Sequence, residues 1–440
     1  MPEIRPFRAL RFDPSTIPDL ARVVAPPYDV IDEVQRQRLL SRDPANVVRL
    51  DLPVAEQGDE TDDRYRRAAR TLAGWRSDGT LHKDPHPSLY VYEQTYRVPG
   101  SEVSRTQRGF FGRLCLEAFG PGSGVLPHER TLSGPREDRY KLLRATGVNT
   151  SPVVALYDDP EARGRDVLDA AMARTPLIDL VDDEGVRQRL WALPADGEQA
   201  GAVAPLLDAA SRGPVTIADG HHRYETALRY RDERRMSRSC EEDPAFDYIL
   251  TLFLEATHQP LTVLPTHRIL RGLGETGVTA LLAGLDVLFE VRTGVDAAEL
   301  QSVFDAIALA DGGAGRFGLW TRSGGMLLTA KRPAFEGFLP AGGPALRDLD
   351  VTLLAAALDR LAGLDEEAVT AGAVGYSKSA SEAIGRVDDP GDDADAVFLL
   401  EPTPVAAISA VARDGDVMPQ KSTYFYPKAL TGLVINPHEW

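Results

Sequence analysis

Two adjacent histidines and an arginine stand between an apolar run and a helical pattern in Pro214 to Tyr230, PVTIADGHHRYETALRY. Val215, Ile217 and Ala218 read as a short buried strand that stops at Asp219-Gly220. Tyr224, Ala227 and Leu228 then fall on one helical face. A strand turning into a helix N-terminus presents free backbone N–H groups and the positive end of the helix dipole, which favours anions, phosphate above all. Gly220 permits a tight turn or a close backbone approach. Arg223 is a bidentate donor for phosphate or carboxylate. His221 or His222 can donate to a phosphoryl oxygen or carry a proton. Asp219 can hold Mg²⁺ or act as a base, and Glu225 can do either one turn further on.

Four other stretches carry groups suited to the same chemistry. Met418 to Lys428, MPQKSTYFYPK, is irregular and proline-flanked; Lys421 and Lys428 can neutralise phosphate charge, and Ser422 and Thr423 can bind phosphate or metal. Leu126 to Thr131 places His128 and Glu129, a candidate acid or base pair, shortly before Glu137-Asp138-Arg139-Tyr140. Pro26-Pro27 can present Tyr28 and Asp29 rigidly. His267-Arg268 follows Leu264-Pro265-Thr266 as a second His-Arg pair. A polar loop before a helix explains the His128 stretch as well as a site does, and an aromatic-anchored tail equally explains Met418 to Lys428.

The elements that must position these groups follow from periodicity. Helices are expected from Asp32, as N-cap, to about Leu40, over Thr61 to Arg76, Asp138 to Thr146, Val351 to Leu361 and Val405 to Asp414. Strands are expected at Phe7 to Phe12, Asn46 to Leu52, Pro152 to Tyr157, Tyr248 to Glu255 and Ala396 to Leu400. Hairpins are expected for Ser88 to Tyr96 with Gln107 to Leu116, and for Phe317 to Trp320 with Met326 to Ala330. Gly274 to Ala310 reads as mostly helical, and Asp388 to Asp395 as a solvated acidic loop. Hairpins mixed with strand–helix units, without clean βαβ alternation, give an α+β or mixed α/β class. The expected organisation is an N-terminal α/β region over 1–157, a central region with the histidine turn over 158–272, a helical and hairpin insertion over 273–395, and a C-terminal segment, 396–440, returning to the core.

Composition narrows the partners. The chain has 440 residues, 43% hydrophobic and 26% charged, so two or three packed subdomains are expected. Its net charge of -17 opposes non-specific nucleic-acid binding, and no nucleic-acid or membrane partner is expected. Cys115 and Cys240 form no Cys-x-x-Cys pair and read as reduced thiols in a cytoplasmic protein. The first residues, MPEIRPFRALRFDP, contain no apolar core segment, so no signal peptide is expected. There is no Walker A sequence, no H-E-x-x-H and no G-x-S-x-G. Gly313 to Gly318 matches G-x-G-x-x-G but enters a hairpin, not a helix, and is rejected as a dinucleotide fingerprint.

Taken together, APPYDVI (Ala25 to Ile31), HERT…EDRYKLLRAT (His128 to Thr146), IADGHHRYETAL (Ile217 to Leu228), LPTHRIL (Leu264 to Leu270) and MPQKSTYFYPK resemble the bacterial and archaeal family catalogued as domain of unknown function 1015. The turn is also similar to that of free-serine kinases of the ParB/sulfiredoxin-like superfamily. That second resemblance implies a ParB/sulfiredoxin-like strand-turn-helix core with added α/β subdomains. It also implies that Gly220, His221, His222 and Arg223 cradle phosphate, with Asp219 beside the metal or acceptor. The expectation is a Mg²⁺-dependent phosphotransferase or nucleotide hydrolase using ATP or ADP and acting on a small metabolite such as an amino acid. Asp29, Glu129 or Glu225 would supply the base or a metal ligand. A non-catalytic sensor of a phosphorylated metabolite or nucleotide is the first alternative. A metal-dependent hydrolase using His128, His221 and His222 is the second.

Overall fold

The computed structural model describes residues 1–130, 134–237, 242–305 and 315–440. Two sheets dominate. The nine-stranded sheet runs Val125–Leu126, Val215–Asp219, Val153–Tyr157, Tyr248–Glu255, Ser104–Cys115, Ser88–Arg97, Arg187–Pro194 and Ile178–Val181, with Ile4–Arg5 pairing beside Ser104–Cys115. It is mixed: Val215–Asp219 runs parallel to Val125–Leu126 but antiparallel to Val153–Tyr157, which is itself parallel to Tyr248–Glu255. The six-stranded sheet is antiparallel throughout and runs Phe289–Val295, Gly324–Ala330, Arg316–Thr321, Ala394–Leu400, His267–Arg271, Val374–Ser377. The protein is a mixed α/β fold.

The expected hairpin of Ser88–Arg97 and Ser104–Cys115 forms with Tyr90 opposite Phe111, and the Tyr92 and Phe111 rings lie 5.0 Å apart. Aromatic and β-branched residues fill the two-sided core of this sheet because both faces are covered. On one face, Tyr224, Ala227 and Tyr230 of the helix His221–Ser237 pack with Phe110, Phe253 and Ile217. Tyr224 is fully buried, yet its hydroxyl accepts the Glu117 N–H and donates to the Glu117 carbonyl, both at 2.9 Å. A satisfied polar tip of this kind costs little to bury and fixes the first turn of the helix.

Two expected elements differ. Asn46 to Leu52 is not a strand: a helical turn spans Val48–Asp51. The Asn46 amide donates to the carbonyls of Arg22 and Val24 and accepts the Val48 N–H at 3.0 Å, so a local side-chain cap overrides the β-propensity of the valines. Within Gly274 to Ala310, the helix Gly274–Leu288 gives way to an edge strand, Phe289–Val295, before the helix Ala297–Phe304. Most of that strand is exposed, so its polar residues carry no burial signal. Residues 306–310 lie outside the described part, as do Cys240, Thr131 and Gly313, the start of the rejected glycine motif. Cys115 is a free thiol. The acidic loop is tied down: Asp392 pairs with Arg386, Asp393 with Arg271, and Asp395 accepts the Leu273 N–H. No helix among the described residues is long and apolar enough to cross a membrane.

Candidate functional site

The strand Val215–Asp219 ends at a glycine with φ +86°, and the helix starts at His221. A Cβ at Gly220 would stand 2.9 Å from Arg223 Nε, so both the backbone angle and the packed guanidinium demand glycine. The turn lines a cavity of about 260 Å³. Into the same cavity come Tyr28 and Asp29, Glu129 and Arg130, Thr266, Tyr376 to Lys378, and Lys421, Thr423, Tyr424 and Lys428. Residues from all five distinctive stretches of the sequence thus meet there, across nearly 400 positions of chain.

Asp219 does not act as a simple helix cap. One carboxylate oxygen accepts from Arg223 at 2.6 Å and the other from the Lys428 ammonium. Burial alone would raise its pKa; Lys428 and Arg223 outweigh that and hold it well below the usual carboxylate range. Arg223 also donates to the Pro152 carbonyl while lining the cavity. Arg223 aligns Asp219, and Asp219 aligns Lys428.

The tail is held by Glu129. Its carboxylate accepts the N–H groups of Lys421, at 2.8 Å, and Ser422, at 3.2 Å. Lys421 sits at φ +55°, and its carbonyl accepts from Thr266 and Arg268. A non-glycine residue in this region is strained and persists only where its surroundings fix it. Here four hydrogen bonds from Glu129, Thr266 and Arg268 fix the loop, which leaves the Lys421 side chain exposed in the cavity. Ser422 is buried and donates to the Pro419 carbonyl, so it is a loop tie and not a phosphate ligand.

His128 lies beneath the cavity floor. Its Nδ1–H donates to the Ile217 carbonyl, which leaves Nε2 to accept from Thr423 at 2.9 Å. The His128 ring packs edge-on to His221 at 4.7 Å, and the His128 backbone N–H donates to His221 Nε2. With both nitrogens of His128 occupied, the three-histidine metal site is not formed; among the described residues no three His, Cys, Asp or Glu side chains are arranged to hold a metal.

Other expected residues play supporting parts. Glu225 pairs with Arg136 at 2.9 Å and does not line the cavity. Arg139 is buried, pairs with Asp138, donates to the Asp51 carbonyl, and lies 4.1 Å over the Tyr28 ring. It positions Tyr28 from behind. Arg268 packs over Tyr376 at 4.7 Å. His267 is fully buried in the six-stranded sheet, where its Nδ1 accepts the Leu400 N–H, and does not reach the cavity.

Lys378 and Tyr376 are the residues that sequence reading missed. They end the strand Val374–Ser377, inside the region read as an insertion. The signal was present as Tyr376-Ser377-Lys378-Ser379, hydroxyls around a lysine at a strand end. Lys378 Nζ lies 3.9 Å from the Tyr424 ring centre and Lys428 Nζ 4.3 Å from it. Burial, then the charge of Lys428, lower the Lys378 pKa. Neither Lys378 nor Lys421 forms an ion pair among the described residues. The cavity holds five cationic and three carboxylate side chains, an excess of positive charge in a chain of net charge -17. A desolvated cluster of this sign is stabilised by a bound anion.

The histidines contribute in neutral form. Burial pushes His128 down to about 4 and holds His221 well below its usual value. Both bind protons less readily folded than unfolded, where the value is about 6.5. The stability they carry is therefore complete above about pH 6.5 and is lost as the pH falls toward 4. The urea midpoint is expected to drop steadily between about pH 7 and pH 5, less so in His128→Gln. A midpoint equally steep in both proteins would show that His128 charges without cost.

Comparison with curated proteins finds no match. Among solved structures, the chain is similar to a conserved hypothetical protein from Pyrococcus furiosus, with 13% identity and TM-score 0.34, covering 69% of this chain and 87% of that one. It is also similar to a free serine kinase in complex with AMP, with 13% identity and TM-score 0.36, covering 75% and 90%. SbnI with C-terminal truncation from Staphylococcus aureus matches at 10% identity and TM-score 0.32, covering 70% and 82%. These likenesses are loose, and the chemistry of the site rests on its own side chains. The family relationship is firmer: the family described as "Protein of unknown function (DUF1015)" matches residues 4–352, and the chain belongs to that family.

Proposed function

We propose that the cavity binds a nucleotide or other phosphorylated metabolite and transfers a phosphoryl group to the hydroxyl of a small acceptor. The carrying observation is the pair of lysines, Lys378 and Lys421, that face one cavity without an ion-paired carboxylate among the described residues. Phosphoryl transfer is catalysed chiefly by positioning and charge neutralisation, and ammonium groups fixed in advance supply both. His222 and Thr423 add hydrogen-bonding groups to the lining, and Lys428 adds a third ammonium.

Asp29 is the carboxylate available as base. Glu129 is spent on the tail backbone and Asp219 on Arg223 and Lys428, whereas Asp29 is exposed at the cavity edge. In the transfer, the acceptor oxygen–phosphorus bond forms, the donor phosphorus–oxygen bond breaks, and the acceptor proton passes to Asp29.

The test is calorimetric binding of ADP and ATP with Mg²⁺, followed by phosphorus NMR of turnover against a panel of hydroxylated metabolites. Binding is expected to weaken by roughly tenfold or more in Lys378→Ala and in Lys421→Ala, the worth of one charge-assisted contact. No nucleotide binding sinks the proposal. Binding without turnover across the panel replaces the transferase with a sensor.

A further inference from the structure

A second cavity, of about 430 Å³, adjoins the first and is the larger of the two. Tyr376 and Arg130 line both, so a single layer of side chains separates them. The character changes across that layer. The first cavity is lined by ammonium groups; the second by Leu346, Leu358 and Val369, from three helical segments, and by Leu364 in the connection between the last two. Leu346, Leu358 and Leu364 are each at most 7% exposed, so the walls belong to a packed core and are set before any ligand arrives.

The carboxylates Asp359, Asp365, Glu366 and Asp416 and the guanidinium groups of Arg130 and Arg268 share the lining, and Gln420 and Thr352 add uncharged hydrogen-bonding groups. Gln420 stands next to Lys421, and its amide has no hydrogen-bond partner among the described residues. Thr352 is 1% exposed, and its hydroxyl is without a partner among the described residues. An amide offering a donor and an acceptor beside apolar walls suits the edge and faces of a flat heterocycle better than it suits an alkyl chain. The Arg130–Glu366 ion pair, at 2.9 Å, spans the boundary at the surface, and Arg268 packed on Tyr376 stiffens it from within.

We infer that the second cavity is the subsite for the heteroaromatic base of a nucleoside phosphate whose phosphates occupy the lysine cavity. This rests on the phosphate-binding reading above and adds the class of ligand. Ligands of this class need a cationic cradle and an apolar slot a few ångströms apart, and Lys421 and Gln420 are consecutive residues serving one each. The preference for the base comes from this cavity alone, whereas the phosphate end is common to any phosphorylated ligand.

The experiment compares ADP with inorganic pyrophosphate, both with Mg²⁺, by calorimetry on the full chain. Wild type is expected to bind ADP at least roughly tenfold more tightly than pyrophosphate. Ala356→Phe, on the half-buried side of the helix Asp350–Ala362, fills the slot and is expected to abolish that advantage while pyrophosphate binding persists. Retained pyrophosphate binding also shows that the variant folds. ADP binding no tighter than pyrophosphate in wild type overturns the base subsite and leaves the phosphate site standing. An ADP advantage that survives Ala356→Phe does the same. Wild type that binds neither ADP nor pyrophosphate overturns both.

Discussion

Asp219→Ala is expected to destabilise the protein by about 3–5 kcal/mol, because it strands two buried cations at once. The Asp219, Arg223 and Lys428 side chains are 15%, 10% and 12% exposed, so water can replace little of what is lost. Arg223 would keep only its bond to the Pro152 carbonyl, and Lys428 only the face of Tyr424. Lys428→Ala should cost less, since Arg223 still satisfies Asp219. Because the folded-state pKa of Asp219 is depressed, this contribution is present above the unfolded value of about 3.9 and is lost as the pH falls through the lower folded one. Denaturant midpoints of the two variants at neutral pH provide the check. Equal, small losses in both would mean that the triad is solvated and that Lys428 is free to bind ligand directly.

The position of the turn was legible because its determinants are local. A β-rich run, a glycine and a helical stripe lie within about one strand and one helix of each other, and no distant contact is needed to set them. Chemistry was less legible than position. Arg223 has the right type for phosphate, and a carboxylate four residues away and the Pro152 carbonyl each take one of its donors. Glu129 reads as an acid or base, yet it is spent on the backbone of a loop 292 positions later. Nothing in the spacing reveals such a partner. His267 shares its His-Arg sequence with the turn, but it lies within a sheet strand that faces the core, and burial decides its role.

Lys378 marks the opposite failure. Its only local signal is the hydroxyls around it, and the strand Val374–Ser377, pairing with His267–Arg271 at the edge of the second sheet, carries it to the cavity. Asn46 shows the same limit at the level of elements: three buried apolar residues within four positions, Val47, Val48 and Leu50, satisfy a strand or a helical turn equally, and one side-chain amide decides. The convergence of the five stretches, which no local pattern encodes, is what turns a list of polar residues into a cationic cavity with one exposed carboxylate.

That carboxylate carries the second large prediction. Asp29→Asn is expected to lower turnover by about 10²–10⁴-fold, the usual worth of a positioned general base. The dissociation constant for ADP should hold or tighten, because the change removes a negative charge from the rim of a cationic cavity. The short helical turn Tyr28–Val30 is set by Pro27 at φ -60° and braced by Arg139 over Tyr28, so asparagine can occupy the position without disturbing the loop. Lys421→Ala has the opposite signature, a weaker ADP affinity with the base intact. Measuring turnover and ADP affinity for both variants separates proton transfer from phosphate binding. Turnover within a few-fold of wild type in Asp29→Asn would remove Asp29 from the chemistry and leave water as the proton acceptor.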